Sequence, residues 1–153
     1  MGGVFTFKLL SDSDEIDRVH NFLKDFPLDY PNYFDWLEKC RRELEIGYKK
    51  AVCAVDSTGR IVGSIVFQPH KEDRLVLELK NMRVAPSCAN RKIGTRIINA
   101  AEVYARRQGF RKVQGDAHLD NPVLEFMLKR GYRIEAKESL YTEKLEAIIG
   151  KTI

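Results

Sequence analysis

The chain has 153 residues, 44% of them hydrophobic and 31% charged, with a formal charge of +4. That is enough for one domain, 1–153, with a core of its own, and the composition is that of an ordinary globular protein. No apolar run approaches the roughly 18 residues of a membrane span and no basic-then-apolar leader opens the chain, so a cytoplasmic protein without a membrane partner is expected. Cys40, Cys53 and Cys88 are odd in number and irregular in spacing, which excludes a paired disulfide framework and the common zinc spacings. No metal site is expected.

The opening MGGVFTF meets the crude N-myristoylation pattern through Gly2 and Thr6, but the same letters fit a first strand over 4–10 better. Ser11 to Asp14 supplies capping residues and then first-turn acids, which predicts a helix carrying Ile16, Val19, His20 and Leu23 on one face. The stretch from Phe26 to Pro31 breaks it. A second helix is predicted from about Asn32 to Leu44, with Phe34, Leu37 and Leu44 inward. Between Ser11 and Glu45 acids outnumber bases about two to one.

Tyr48 to Val55 reads as a strand, Asp56 to Gly59 as a hairpin turn and Arg60 to Gln68 as the partner strand, rich in β-branched residues. The next stretch, Leu75 to Gln108, organises the rest. Its strand places apolar residues at Leu75, Leu77 and Leu79, then changes phase to Met82 and Val84, as a β-bulge would produce. Pro86 ends the ladder. A small, polar, basic loop from Ser87 to Lys92 leads into a helix that begins near Ile93 or Gly94 and buries Ile97, Ile98, Ala101 and Tyr104. Such a loop brings free N–H groups to a helix N-terminus and forms an anion site, and Arg91, Lys92 and Arg96 add positive charge. Basic residues crowd this region, from Arg91 and Lys92 to Arg106, Arg107, Arg111 and Lys112, with Glu102 as the only acid among them. No aromatic platform accompanies them, which argues against nucleic acid.

Gly109 caps that helix, and Lys112 to His118 is a short strand. Asp120-Asn121-Pro122 starts a late helix with Val123, Leu124, Met127 and Leu128 as its apolar face. Arg133 to Ala136 and Leu140 to Leu145 can pair as a last hairpin. The tail from Glu146 to Ile153 takes no assignment.

The central stretch resembles the GCN5-related N-acetyltransferase (GNAT) superfamily, whose signature runs V-x-P-x-x-[RQ]-x-x-G-x-[GA]. Val84, Ala85 and Pro86 match its opening, and Ile93 and Gly94 its end. Ala89 stands where Arg or Gln is usual, and Lys92 where the first Gly is usual. Asn121-Pro122 followed by Gly131-Tyr132 resembles the family's late helix. The resemblance covers nearly the whole chain. It implies an α/β (α+β) fold with a mixed, mostly antiparallel sheet flanked by helices, in the order β-α-α-β-β-β-α-β-α-β-β.

The resemblance implies acetyl-CoA as co-substrate and acetyl transfer to a primary amine, on a small molecule or a peptide. A coenzyme-A-binding protein without turnover is the alternative. Met82, Arg83 and Val84 would meet the pantetheine arm. Ala89, Asn90, Arg91, Lys92, Ile93, Gly94 and Thr95 would hold the pyrophosphate, and Asn121 would touch the cofactor amide or only cap its helix. An acidic border formed by the first two helices would favour a cationic acceptor. Glu78 sits where members often carry a basic carboxylate and is the expected general base. Members often place a tyrosine acid at the position of Met127, which leaves Tyr141, Tyr132 and His118 as candidate acids. The late strands of this fold frequently carry dimer contacts, so a homodimer is open.

Overall fold

The computed structural model describes residues 4–141 and 143–153. Gly2, on which the lipidation pattern turns, lies outside them. The elements are β1 (Thr6–Leu9), α1 (Ser13–Asp25), α2 (Tyr33–Glu45), β2 (Lys50–Val55), β3 (Ile61–Pro69), β4 (Val76–Val84), α3 (Ile93–Arg107), β5 (Lys112–His118), α4 (Pro122–Leu128), β6 (Arg133–Glu138) and β7 (Glu146–Thr152). The order is the expected one. The strands form one sheet in the order β1-β2-β3-β4-β5-β7-β6, antiparallel except for the β4–β5 pair.

Local chemistry accounts for most boundaries. The Asp12 carboxylate accepts from the Glu15 N–H at 2.8 Å, and the Glu15 carboxylate accepts from the Ser11 N–H at 3.2 Å. These two side-chain bonds at the N-cap fix where α1 begins. Ile16, Val19, His20 and Leu23 are buried as expected. In the β2–β3 turn the Asp56 carboxylate accepts from the Thr58 and Arg60 N–H groups, and Gly59 takes a φ of 87° that suits glycine.

Three expectations change. On α2 the buried stripe is Tyr33, Leu37, Cys40 and Leu44, while Phe34 is 57% exposed, because it lies one position off the stripe. Leu128 is likewise exposed at the end of α4, where Leu124 and Met127 face inward. The largest change is at the C-terminus. The last strand is the unassigned tail, Glu146–Thr152, and the described residues 139–141 and 143–145 lie outside any strand. This strand pairs with β5 on one side and β6 on the other, so Ala147 and Ile149 are buried.

Two irregularities position the site. Asn81 stands opposite Val66 and Leu79 opposite Phe67, so Lys80 is an extra residue in β4, and the bulge falls where the phase change predicts it. β4 and β5 pair only through Val76–Glu78 and Lys112–Gln114. Beyond Glu78 the two strands part, and the sheet opens in its middle.

The candidate active site

The opening between β4 and β5 is a cleft of about 580 Å³ that passes from one face of the sheet to the other. Its first wall is set by α1, α2 and their connection. The Arg83 guanidinium donates to the Phe26 carbonyl at 2.9 Å and reaches that of Pro27, pinning the connection against β4. The Tyr33 hydroxyl donates to the Leu23 carbonyl, and the Asn81 amide donates to the Tyr33 hydroxyl. Tyr30, Tyr33, Trp36, Asn81, Asp116 and Tyr141 therefore line an aromatic and acidic mouth. The second wall lies on the α3–α4 side and is apolar, with Met82, Val84, Gly94, Phe126, Met127 and Ile149.

At the mouth Tyr30 stacks on His118 with ring centroids 5.2 Å apart and meets Tyr141 edge-on at 5.2 Å. Its hydroxyl donates to Glu146 Oε1 at 3.0 Å. His118 Nδ1 lies 3.5 Å from the same oxygen. Burial and the neighbouring Glu146 carboxylate raise the Asp116 carboxyl to about 7. Burial, then Asp116 and Glu146, hold the Tyr141 phenol well above its ordinary value, so it is a protonated donor at neutral pH.

The expected site residues divide. Met82, Arg83, Val84, Gly94, Asn121 and Tyr141 line the cleft. The Asn121 side chain accepts from the Val123 N–H at 3.0 Å, so it caps α4 as well. Ile93 is buried, and its methyl approaches to 3.0 Å of where a Cβ on Gly63 would lie. Ala89, Asn90, Arg91 and Lys92 form the loop before α3 and do not line the cleft. Arg130, which the sequence does not signal, donates to Thr95 Oγ1 at 2.6 Å and lies over the Phe126 ring. Arg96 stacks on Phe7 instead of joining the loop.

Two candidates leave the site. The Tyr132 hydroxyl donates to Glu102 at 2.9 Å, and the residue is 2% exposed; its ring packs behind α3 and cannot serve as the acid. Glu78 does not line the cleft. Its carboxylate is held by Lys80 at 3.1 Å and lies 3.7 Å from His70. His118 remains at the mouth, packed under Tyr30.

Tyr30, Lys80, Asn81 and Asp116 line the cleft and Glu146 bonds to Tyr30 beside it, and sequence reasoning named none of them as site residues. A signal existed for one of them. In the strand KVQGDAH, Val113, Gly115 and Ala117 alternate with polar residues, and such a strand turns its polar face to solvent or to a cleft.

The Acetyltransferase (GNAT) family profile matches residues 16–132. The chain belongs to the GNAT acetyltransferase family. Its seven-stranded, mostly antiparallel sheet with four helices matches the fold of solved GNAT structures. It superposes on the acetyltransferase of GNAT family from Streptococcus pneumoniae with a TM-score of 0.78 at 16% identity, covering 98% of this chain and 99% of that one. It superposes on the PaiA N-acetyltransferase from Thermoplasma acidophilum, solved with coenzyme A, with a TM-score of 0.71 at 14% identity over 97% and 99% of the chains. No curated protein matches the sequence.

Acetyl-CoA, the co-substrate of this GNAT chain, fits the residues present. Among the described residues no side chain caps the N-terminus of α3, so first-turn N–H groups are open to a phosphate. Gly94 faces the cleft without a side chain, and a Cβ there would come within 3.3 Å of the Phe126 ring. The parted edge of β4 offers backbone to an extended amide chain. Burial raises the Cys40 thiol to about 12 and the Cys53 thiol to about 11, so both are inert core residues.

Proposed function

We propose that this GNAT acetyltransferase moves an acetyl group from acetyl-CoA to a primary amine by direct attack in a ternary complex. One observation carries the reading: a single cleft joins the uncapped end of α3 on one face of the sheet to an acidic, aromatic mouth on the other. An anionic acyl donor and a cationic acceptor could thus meet from opposite sides. Acetyl-CoA supplies the thioester. Gly94 and the first turn of α3 hold its phosphates, and the β4 edge from Met82 to Val84 aligns its arm and offers a donor to the carbonyl. Positioning of this kind supplies much of the rate. Tyr141 lines the cleft and is protonated, so it is the acid for the departing sulfur.

Thiol release from acetyl-CoA, measured over a panel of small amines and peptides, tests the reading. Turnover with at least one amine is expected. Gly94→Glu should abolish acetyl-CoA binding in titration calorimetry, because it adds bulk against Phe126 and a like charge. Unchanged affinity in the folded variant would remove the cofactor assignment.

A binding protein without turnover is the second reading, and the apolar Met127 in the cleft wall favours it. Acetyl-CoA binding without thiol release from any amine would establish it. The basic cluster does not favour a nucleic-acid module: Arg106 reaches Glu102, Lys112 pairs with Glu135 and Arg96 packs on Phe7.

A further inference from the structure

The mouth of the cleft contains a carboxylate pair, a partly buried Asp116 and a fully buried Glu146. Asp116 of β5 lines the cleft, and Glu146 of β7 lies behind it with a side chain 0% exposed. The Tyr30 hydroxyl supplies Glu146 Oε1. Among the described residues Glu146 Oε2 has no hydrogen-bond partner, and neither has His118 Nδ1. An acceptor oxygen buried without a donor is costly, and a proton carried by Asp116, which lies within hydrogen-bonding reach of Glu146, provides one.

We propose that Asp116, backed by Glu146, is the proton acceptor for the substrate ammonium in this chain, and that the acceptor therefore enters the mouth as a cation. The inference rests on the amine acetyltransferase reading. It moves the base away from Glu78, whose carboxylate is already held by Lys80.

The chemistry balances. Ionised Asp116 takes one proton from the ammonium. The freed lone pair forms the C–N bond at the thioester carbonyl carbon as the C–S bond breaks. Tyr141 gives its proton to the departing sulfur, which leaves as a thiol, and takes the second nitrogen proton in its place, while Asp116 returns its proton to solvent. A base works best when its affinity for protons matches the operating pH, and Asp116 titrates at about 7. Asp116 is faced by Glu146 from β7, by Glu78 and Lys80 from β4, by Tyr141 from the loop before β7 and by Tyr30 from the α1–α2 connection, with His118 two residues along its own strand. The carboxylates raise its proton affinity and Lys80 lowers it. The Tyr30 and Tyr141 rings add faces suited to a cation. Glu146 acts through Asp116 and is a positioning residue.

The test combines a titration of the free protein with pH–rate profiles. With carbon-13-labelled aspartate, one carboxyl should titrate within about a unit of neutrality, far from the ordinary 3.9. In Glu146→Gln that titration should move to lower pH, because a like charge is gone. The acidic limb of kcat/KM, taken with the fastest amine of the panel, should move with it. Asp116→Asn should lose about a hundredfold or more in kcat/KM while binding acetyl-CoA normally in calorimetry, and Glu78→Gln should lose less. The base assignment alone falls if no aspartate titrates near neutrality, if the limb stays put in Glu146→Gln, or if Glu78→Gln takes the larger loss. If the wild type releases no thiol with any amine, the acetyltransferase reading falls and this inference falls with it. Should Asp116→Asn fail to fold, the wild-type titration and the Glu146→Gln limb still decide.

Discussion

Lys92 holds φ at 61° and ψ at 18° in the residue before α3. That left-handed conformation costs a residue with a Cβ about 1–2 kcal/mol, and it explains why the related family signature has glycine there. Asn90, two residues earlier, takes a φ of 64° with less penalty, since asparagine tolerates this region. Lys92→Gly should therefore stabilise the fold, by about 0.5–1 kcal/mol after the extra unfolded-state entropy of glycine. Denaturant melts would show it; a variant less stable than wild type would mean that the lysine stem makes compensating contacts. Tyr141 is the other residue whose single atom matters. Tyr141→Phe keeps the ring against Tyr30 and removes the hydroxyl. Turnover should fall by about a hundredfold if that hydroxyl protonates the sulfur, with acetyl-CoA affinity unchanged. Full activity would leave the thiolate to depart unassisted.

Among the elements, those with local instructions could be read from the letters. The start of α1 was written in Ser11, Asp12 and Glu15, and Asp12→Ala should cost about 1 kcal/mol in a chemical melt. The β4 bulge was written in a change of alternation, and α3 in its apolar spacing. β7 was not legible. Its sequence EAIIGKT is short and contains a glycine, and what makes it a strand is the neighbour it gains on each side. That is a tertiary fact. Misplacing this strand also hid half of the candidate site, since Glu146 reads as a tail residue until β7 is set beside β5. Phe34 and Tyr132 failed for a related reason. Their letters permit either face, and only packing against α1 or Glu102 decides. Ile149 shows the weight β7 carries: it is buried and lines the cleft floor, and Ile149→Ala should cost about 2–5 kcal/mol.

The whole molecule feels Asp116 through pH. Its folded-state value, about 7, lies above the unfolded value of 3.8. Between these values the folded protein holds a proton that the unfolded chain has lost, so this contribution is complete below the unfolded value and disappears as pH rises through about 7. Glu15 acts with the opposite sign. Lys8 holds its carboxyl below the usual range, and that contribution is lost in acid. Asp116→Asn should therefore melt above wild type near about pH 8, with the gap closing toward about pH 5. A gap independent of pH would show that the aspartate is not protonated in the folded state.

Only three residues of β4 pair with β5, so the sheet is two rafts, β1-β2-β3-β4 and β5-β7-β6, joined by a short seam. Rafts joined so narrowly can exchange their amide hydrogens as separate units. Acetyl-CoA lying along the parted edges would act as a missing rung between them. Its binding should slow exchange in Met82–Val84 and Gly115–His118 together, although these segments are not bonded to each other in the free protein. Protection confined to one raft would mean that the ligand rests on a single edge and that the split in the sheet remains a hinge in the complex.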